Sequence, residues 1–306
     1  MNKALLYLLL GAGSVAAAPS QTNKPLANPL PPPTFSNVKY ADHERNVLDF
    51  WQAKSETPAP VLVYIHGGAW RSGDKSIMLG DALQFMLDHG ISVASINYRY
   101  SEQATLPAPV HDAARAVQFV RSKAAEWHLN KERLAAMGVS AGACTTLWLA
   151  YHDDLANPKS DDPIARESTR LCAGVGISGQ TSIDPEVIVP WVGDQIMNHA
   201  MISRAVGAKD RQEVKERYAE YQALYREFSP INHVTKDDPA VLLYYRTPTP
   251  LPAPDPGIAI HHAMLGQKLK EKADAVGAPC VIEYADRPNE SKSVVTEFLL
   301  KQLKKP

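Results

Sequence analysis

The chain has 306 residues, 45% of them apolar and 21% charged, and a formal net charge of −1. That size and composition fit one large α/β domain with a full core. The balanced charge gives nucleic acid or an anionic membrane nothing to hold, and three cysteines without close spacing argue against a disulfide framework or a metal site.

Residues 1–17 read as a signal peptide. Lys3 supplies the positive start, Ala4 to Leu10 the apolar core, and Val15 to Ala18 the small-residue cleavage region. Pro19 disfavours cutting after Ala18, so the expected cut follows Ala17. The apolar run is short for a membrane span, so export to the periplasm or outside the cell is expected in preference to an uncleaved anchor. Residues 18–37, rich in Pro, read as an extended linker, and residues 38–304 as the folded domain.

Residues 38–51 can form a first antiparallel pair of strands. Residues 60–65 are a strand ending in His66-Gly67-Gly68-Ala69-Trp70. A helix is expected over 77–87, a strand over 91–97, and an amphipathic helix over 109–127. Asp112, in that helix's first turn, reads as structural. Leu134 to Met137 form a buried strand that runs into Gly138-Val139-Ser140-Ala141-Gly142 and then a helix to about Ala150. A G-x-S-x-G between strand and helix is the setting of a nucleophile elbow. Gly138 and Gly142 are required there because a Cβ at either would collide with the neighbouring strand or helix. The plainer alternative is a glycine-flanked turn with an N-capping serine. Cys144, Cys172 and Cys280 read as buried thiols, with one bridge still open to an exported chain.

A strand over 171–177 follows. Residues 183–238 then break the alternation of strand and helix and read as a helical lid over the elbow. Their last helix, 211–228, carries a stripe of Val214, Tyr218, Tyr221, Tyr225 and Phe228, read as packing before substrate contact. Strands are expected at 240–245 and 279–284. A helix is expected from Asp255 to about Val276, and a last one over 291–303. The alternation implies a mostly parallel central sheet with helices on both faces, and a ligand site beyond the carboxyl ends of the strands.

Through His66–Trp70 and Gly138–Gly142 the sequence resembles the α/β-hydrolase fold, in particular small bacterial esterases with HGGAW and G-x-S-A-G motifs. Asn97-Tyr98-Arg99 and Gly73-Asp74-Lys75 fit the same pattern. The resemblance implies Ser140 as nucleophile and the amides of Gly68, Ala69 and Ala141 as oxyanion hole. It implies no metal or organic cofactor and, as substrate, a small acyl ester, including acylated carbohydrate. No nucleic-acid or membrane partner is expected.

Acyl transfer by a serine needs a base, and an acid that orients the base helps. In the resembled family the acid follows the seventh strand and the histidine the eighth. Here Arg246-Thr247-Pro248 follows the seventh strand. Asp286 stands after the eighth, read as a solvated charge, and no histidine occurs beyond His262. Asp255 is the nearest carboxylate to the acid's place, and reads either as that acid or as a helix N-cap before Pro256. Were one helix to run on from Ile260, His262 would continue its apolar face of Leu265, Leu269, Ala273 and Val276, and His261 would turn toward solvent. His262 is therefore the expected base, against the plainer reading of a buried structural histidine. His66, His111, His128, His152, His199 and His233 fit worse. Two classes of function stay open: an exported serine ester hydrolase, with a peptidase not excluded, and a binding protein that has lost its triad histidine.

Overall fold

The computed structural model describes residues 30–78, 80–284 and 288–305. The expected signal peptide, most of the linker and Asp286 lie outside the described residues.

Strands form where branched and aromatic residues run together. Ala59–Ile65 is one such run, and its side chains alternate between two apolar layers: Val61, Val63 and Ile65 enter one, Leu62 and Tyr64 the other. A strand apolar on both faces belongs in the middle of a sheet covered on both sides. In chain order the elements are β1 (Phe35–Lys39), β2 (Val47–Trp51), β3 (Ala59–Ile65), α1 (Gly80–Asp88), β4 (Ser92–Ile96), α2 (Ala108–Ser122), β5 (Leu129–Val139), α3 (Ala141–Tyr151) and β6 (Ala173–Ile177). Then come α4 (Pro185–Val192), α5 (Ala200–Arg204), α6 (Arg211–Glu216), α7 (Tyr218–Glu227), β7 (Ala240–Tyr245), α8 (Pro256–Ile260), α9 (Ala263–Val276), β8 (Cys280–Tyr284) and α10 (Pro288–Leu303).

The strands make an eight-stranded sheet in the order β1-β2-β4-β3-β5-β6-β7-β8. β2 is antiparallel to both of its neighbours, and from β4 to β8 every pairing is parallel. This is the α/β-hydrolase architecture. α1 and α10 cover one face through Leu83, Met86, Leu299 and Leu303; α2, α3 and α9 cover the other through Val117, Leu147 and Leu265. Each such fully buried side chain contributes about 1.5–3 kcal/mol. The carboxyl ends of β3, β5, β6 and β7 share one edge, so Gly67, Ser140, Ser178 and Arg246 emerge together.

Three helices differ from their sequence outlines. α2 stops at Ser122, yet Trp127 is still buried, stacked on Phe50 at 4.3 Å between ring centroids. Its periodic place is held by that packing and by one further turn, Trp127 N–H donating to Lys123 O (2.8 Å) beyond the end of the helix. The outlined helix over 211–228 breaks at Arg217 (φ −116°, ψ 23°), whose guanidinium joins Glu213 and Glu220. The aromatic stripe there is packing: Tyr225 donates its hydroxyl to Ile202 O (2.7 Å) and Tyr218 to Asp184 Oδ1 (2.7 Å). The third break, at His261 and His262, decides the site. The three cysteines are free, with Cys144 and Cys280 buried and Cys172 half-buried.

Candidate active site

β5 delivers Ser140 at the tip of a sharp turn. Ser140 has φ 53° and ψ −121°, a conformation L residues rarely adopt and one that costs on the order of 1–3 kcal/mol. Neighbouring backbone holds it there: Ser140 N–H donates to Ile177 O (2.9 Å), and Cys144 N–H to Ser140 O (3.0 Å). The flanking glycines are sterically required. A Cβ on Gly142 would lie 2.1 Å from Ile65 O in β3, and one on Gly138 would lie 2.2 Å from Gly142 O in α3.

His261 reaches this serine. Its Nε2 lies 2.9 Å from Ser140 Oγ, and its Nδ1 lies 2.9 Å from Gly257 O. A carbonyl only accepts, so Nδ1 carries the proton and Nε2 is the free base that accepts the serine hydroxyl. Burial is the main influence on His261 and lowers its pKa below 6.5, so the ring is neutral near pH 7.

His262, the expected base, makes no such contact. It is 4% exposed; its Nδ1 accepts from Met264 N–H (3.0 Å) and its Nε2–H donates to Thr249 O (3.0 Å). Both nitrogens are committed to structure. The expectation assumed one helix with a single phase across 255–276. Instead α8 ends at His261 (φ −113°, ψ 10°), and His262 (φ −66°, ψ 136°) is the N-cap of α9. The break resets the phase, turning His261 inward and making His262 a cap. Asp255 also takes the plainer of its two readings. Its Oδ1 accepts from Ile258 N–H (2.9 Å) as the N-cap of α8, and the ring of His261 is oriented by a backbone carbonyl in place of a carboxylate.

The loop after β3 faces the elbow. Gly68, Ala69 and Trp70 all have positive φ, which winds the chain tightly around Gly68 O, the acceptor for Arg71 N–H (2.8 Å) and Ser72 N–H (3.0 Å). The amides of Gly68, Ala69 and Ala141 donate to no acceptor among the described residues, as an anion-binding group should. A Cβ on Gly67 would lie 3.3 Å from Ser140 Cβ, so this loop touches the elbow. Trp70, fully buried, fastens it to α3 by donating Nε1–H to Thr145 Oγ1 (2.9 Å). His66 is a scaffold: it donates Nδ1–H to Gly67 O (2.7 Å) and stacks on Tyr98, whose hydroxyl donates to His66 O (2.7 Å). Burial lowers the His66 pKa to about 4. Asp112 is also structural, through a two-oxygen pair with Arg99 (2.6 and 2.8 Å).

A cleft of about 670 Å3 opens beside Ser140 and His261, with Ser178, Arg246, Thr249 and Ile258 among its walls. The region over 183–238 meets the site through His199, which sequence reasoning set aside. Its ring lies 6.2 Å from that of His261. Its Nδ1 accepts from Met201 N–H (3.3 Å), so Nε2 bears the proton of the neutral ring. Burial, then His261 and Arg71, lowers its pKa to about 4. Among the described residues no three His, Cys, Asp or Glu side chains are grouped to hold a metal.

The BD-FAE family profile matches residues 48–250, about two thirds of the chain. The chain belongs to the BD-FAE family. The match takes in the oxyanion-type loop and the elbow and stops short of His261, so the BD-FAE pattern extends over Ser140 and not over its imidazole partner. Among curated proteins, a probable isoprenylcysteine alpha-carbonyl methylesterase of Arabidopsis thaliana is 32% identical over 47% of the chain and 30% of its own length. The esterase LipQ of Mycobacterium tuberculosis is 26% identical over 71% of the chain and 49% of its own length. The chain thus spans half or less of the length of these curated relatives. A solved truncated form of a carbohydrate esterase from gut microbiota superposes with a TM-score of 0.69 at 21% identity, covering 89% of this chain and 96% of that one.

Proposed function

We propose that this BD-FAE member is a serine carboxylic-ester hydrolase. Ser140 is the nucleophile, His261 the general base, and the amides of Gly68, Ala69 and Ala141 the oxyanion hole. The observation that carries the reading is the hydrogen bond from Ser140 Oγ to His261 Nε2, 2.9 Å, with the imidazole held by Gly257 O in the tautomer a base requires.

As Ser140 Oγ attacks the ester carbonyl, His261 Nε2 takes its proton. The carbonyl oxygen becomes an oxyanion at the start of α3, where free amides and the helix dipole favour negative charge. His261 returns the proton to the leaving alcohol, and the same ring then activates water to release the acid. The neutral Gly257 carbonyl stabilises the imidazolium less than a carboxylate would. Loss of a triad carboxylate costs up to about 10⁴-fold in kcat, so this arrangement favours slow turnover.

The similar proteins named as methylesterase, esterase and carbohydrate esterase support a small acyl ester as substrate, on carbohydrate in particular. The leader-like composition of residues 1–17 supports export. A fluorophosphonate probe should label the wild type with a burst-competent site, and 4-nitrophenyl acetate should turn over. Ser140→Ala should abolish labelling while circular dichroism stays that of the wild type. Equal labelling of the variant would mean that Ser140 is not the nucleophile, and neither labelling nor turnover in the wild type would favour the reading of a binding protein.

A further inference from the structure

A second pocket, of about 320 Å3, lies against the site and plays no part in the chemistry above. His199 joins the two. It lines this pocket, and its ring is 6.2 Å from that of His261. The rest of the pocket is strongly cationic. Arg71, Arg204, Lys209 and Arg211 line it against one carboxylate, Asp210. The chain as a whole carries a formal charge of −1, so this accumulation is local.

Carboxylates stand beside most of these cations, Glu213 among them, its Oε2 accepting from Lys209 N–H (2.9 Å). Asp210 is turned to the backbone, its Oδ1 accepting from Glu213 N–H (2.9 Å) as the cap of α6. Arg211 pairs with Asp194 (2.5 Å) and Asn198 (2.7 Å), and Arg71 pairs with Glu102. The side chains of Arg204 and Lys209 have no ion pair among the described residues. Exposed pairs of the first kind are worth about 0–1 kcal/mol, so stability does not account for gathering four cations in one concavity. Arg71 also sits directly after the loop that carries the candidate oxyanion amides, on the same short segment as Gly68 and Ala69.

We infer that this pocket receives a carboxylate carried by the ester substrate, so that the esterified sugar is a uronic acid. The inference rests on the proposed function for the ester and the sugar, and on the pocket itself for the carboxylate. Guanidinium forks match a carboxylate in two-point geometry, and the side chains of Arg204 and Lys209 are the two in the pocket that no carboxylate among the described residues holds. His199, neutral with its proton on Nε2, stands between the anion and the reacting ester as an uncharged donor that does not compete with the cations.

The test compares mono-O-acetylated methyl galacturonoside with mono-O-acetylated methyl galactoside, by acetate release, in the wild type and in Arg204→Gln/Lys209→Gln. Both positions are exposed, so the double variant should fold. At low ionic strength the wild type should favour the uronate in kcat/KM by about tenfold, chiefly through KM. The ratio should fall toward one in the double variant, and in the wild type at about 1 M salt. A ratio near one in the wild type, or one the double variant retains, overturns the inference while leaving ester hydrolysis intact. Calorimetric titration of Ser140→Ala with methyl galacturonoside gives the answer independently of turnover. Heat of binding that the added double substitution removes supports the pocket even if no ester is hydrolysed. No heat, or heat only with galactose 6-sulfate, overturns it.

Discussion

A carbonyl oxygen behind the imidazole fixes the tautomer of His261 without lending it a charge. Its pKa is therefore set mainly by burial, which lowers it. Catalysis needs the neutral ring, so kcat/KM should rise with pH through a limb centred below the 6.5 of a free imidazole and be flat at neutrality. His261→Gln should lower kcat by about 10²–10⁴-fold. His262→Gln should retain most of the turnover and instead cost about 1 kcal/mol of stability through the lost cap. Turnover and urea midpoints of the two variants measure this, and the reverse pattern would restore His262 as base. The sequence placed the candidate base in the segment after β7, because no later histidine exists and the earlier ones fit worse. It did not show which of two adjacent imidazoles turns inward. That depended on where a helix breaks, and the apolar spacing through Leu265 and Leu269 is the same whether the helix starts at Pro256 or at Ala263. Asp255-Pro256 signalled the first start; a histidine acting as the second cap through Nδ1 carried no comparable signal.

Strands and elbow were legible for a different reason. β3 and β7 are short apolar runs buried on both faces, and a parallel sheet admits little else. The elbow was legible because its glycines answer to backbone and not to adjustable side chains. Gly142 packs against the carbonyls of Ile65 and His66, at 2.1 and 2.4 Å from where a Cβ would stand. Neither carbonyl can swing aside without opening the end of β3 and moving the loop that follows. Gly142→Ala should therefore cost about 3 kcal/mol or more, near the upper end for overpacking, and should abolish fluorophosphonate labelling in any folded remainder. Soluble yield and the urea midpoint are the measurements. A stable, fully labelled variant would mean that the β3 loop is not pinned to the elbow. Helix ends were less legible. Trp127 keeps its periodic burial beyond the end of α2, and Arg217 interrupts the helical outline of 211–228 while the buried stripe continues across the break.

At the scale of the whole molecule the buried imidazoles make the fold sensitive to acid before Asp74 and Asp154 titrate. His66 is 1% exposed, donates to Gly67 O, and faces Arg45 Nη2 at 3.4 Å through its other nitrogen. Its pKa falls to about 4 in the folded chain, from 6.5. Between those values the unfolded chain binds a proton that the folded chain refuses, so stability rises with pH across the window and is lost as pH falls from 6.5 toward 4. At pH 4.5 His66 alone should remove about 2–3 kcal/mol relative to pH 7.5. His111, His199 and His261 are lowered chiefly by burial as well and act with the same sign. Asp74 and Asp154 have pKa values below 3.8, so their loss comes at lower pH. Urea unfolding at pH 7.5 and 4.5 should show a falling midpoint at unchanged slope, and unfolding at pH 5 should take up protons. Protonation at Nε2 would set a second positive charge against Arg45 Nη2, 3.4 Å away, while the Nδ1–H bond to Gly67 O is kept; that repulsion would push the ring and loosen the loop carrying Gly68 and Ala69. Fluorophosphonate labelling should therefore slow in parallel with the loss of stability, beyond what protonation of His261 alone produces. An equal midpoint at both pH values would mean that the folded chain protonates His66 as readily as the unfolded one does, and that its place beneath the loop is not the buried, neutral one described.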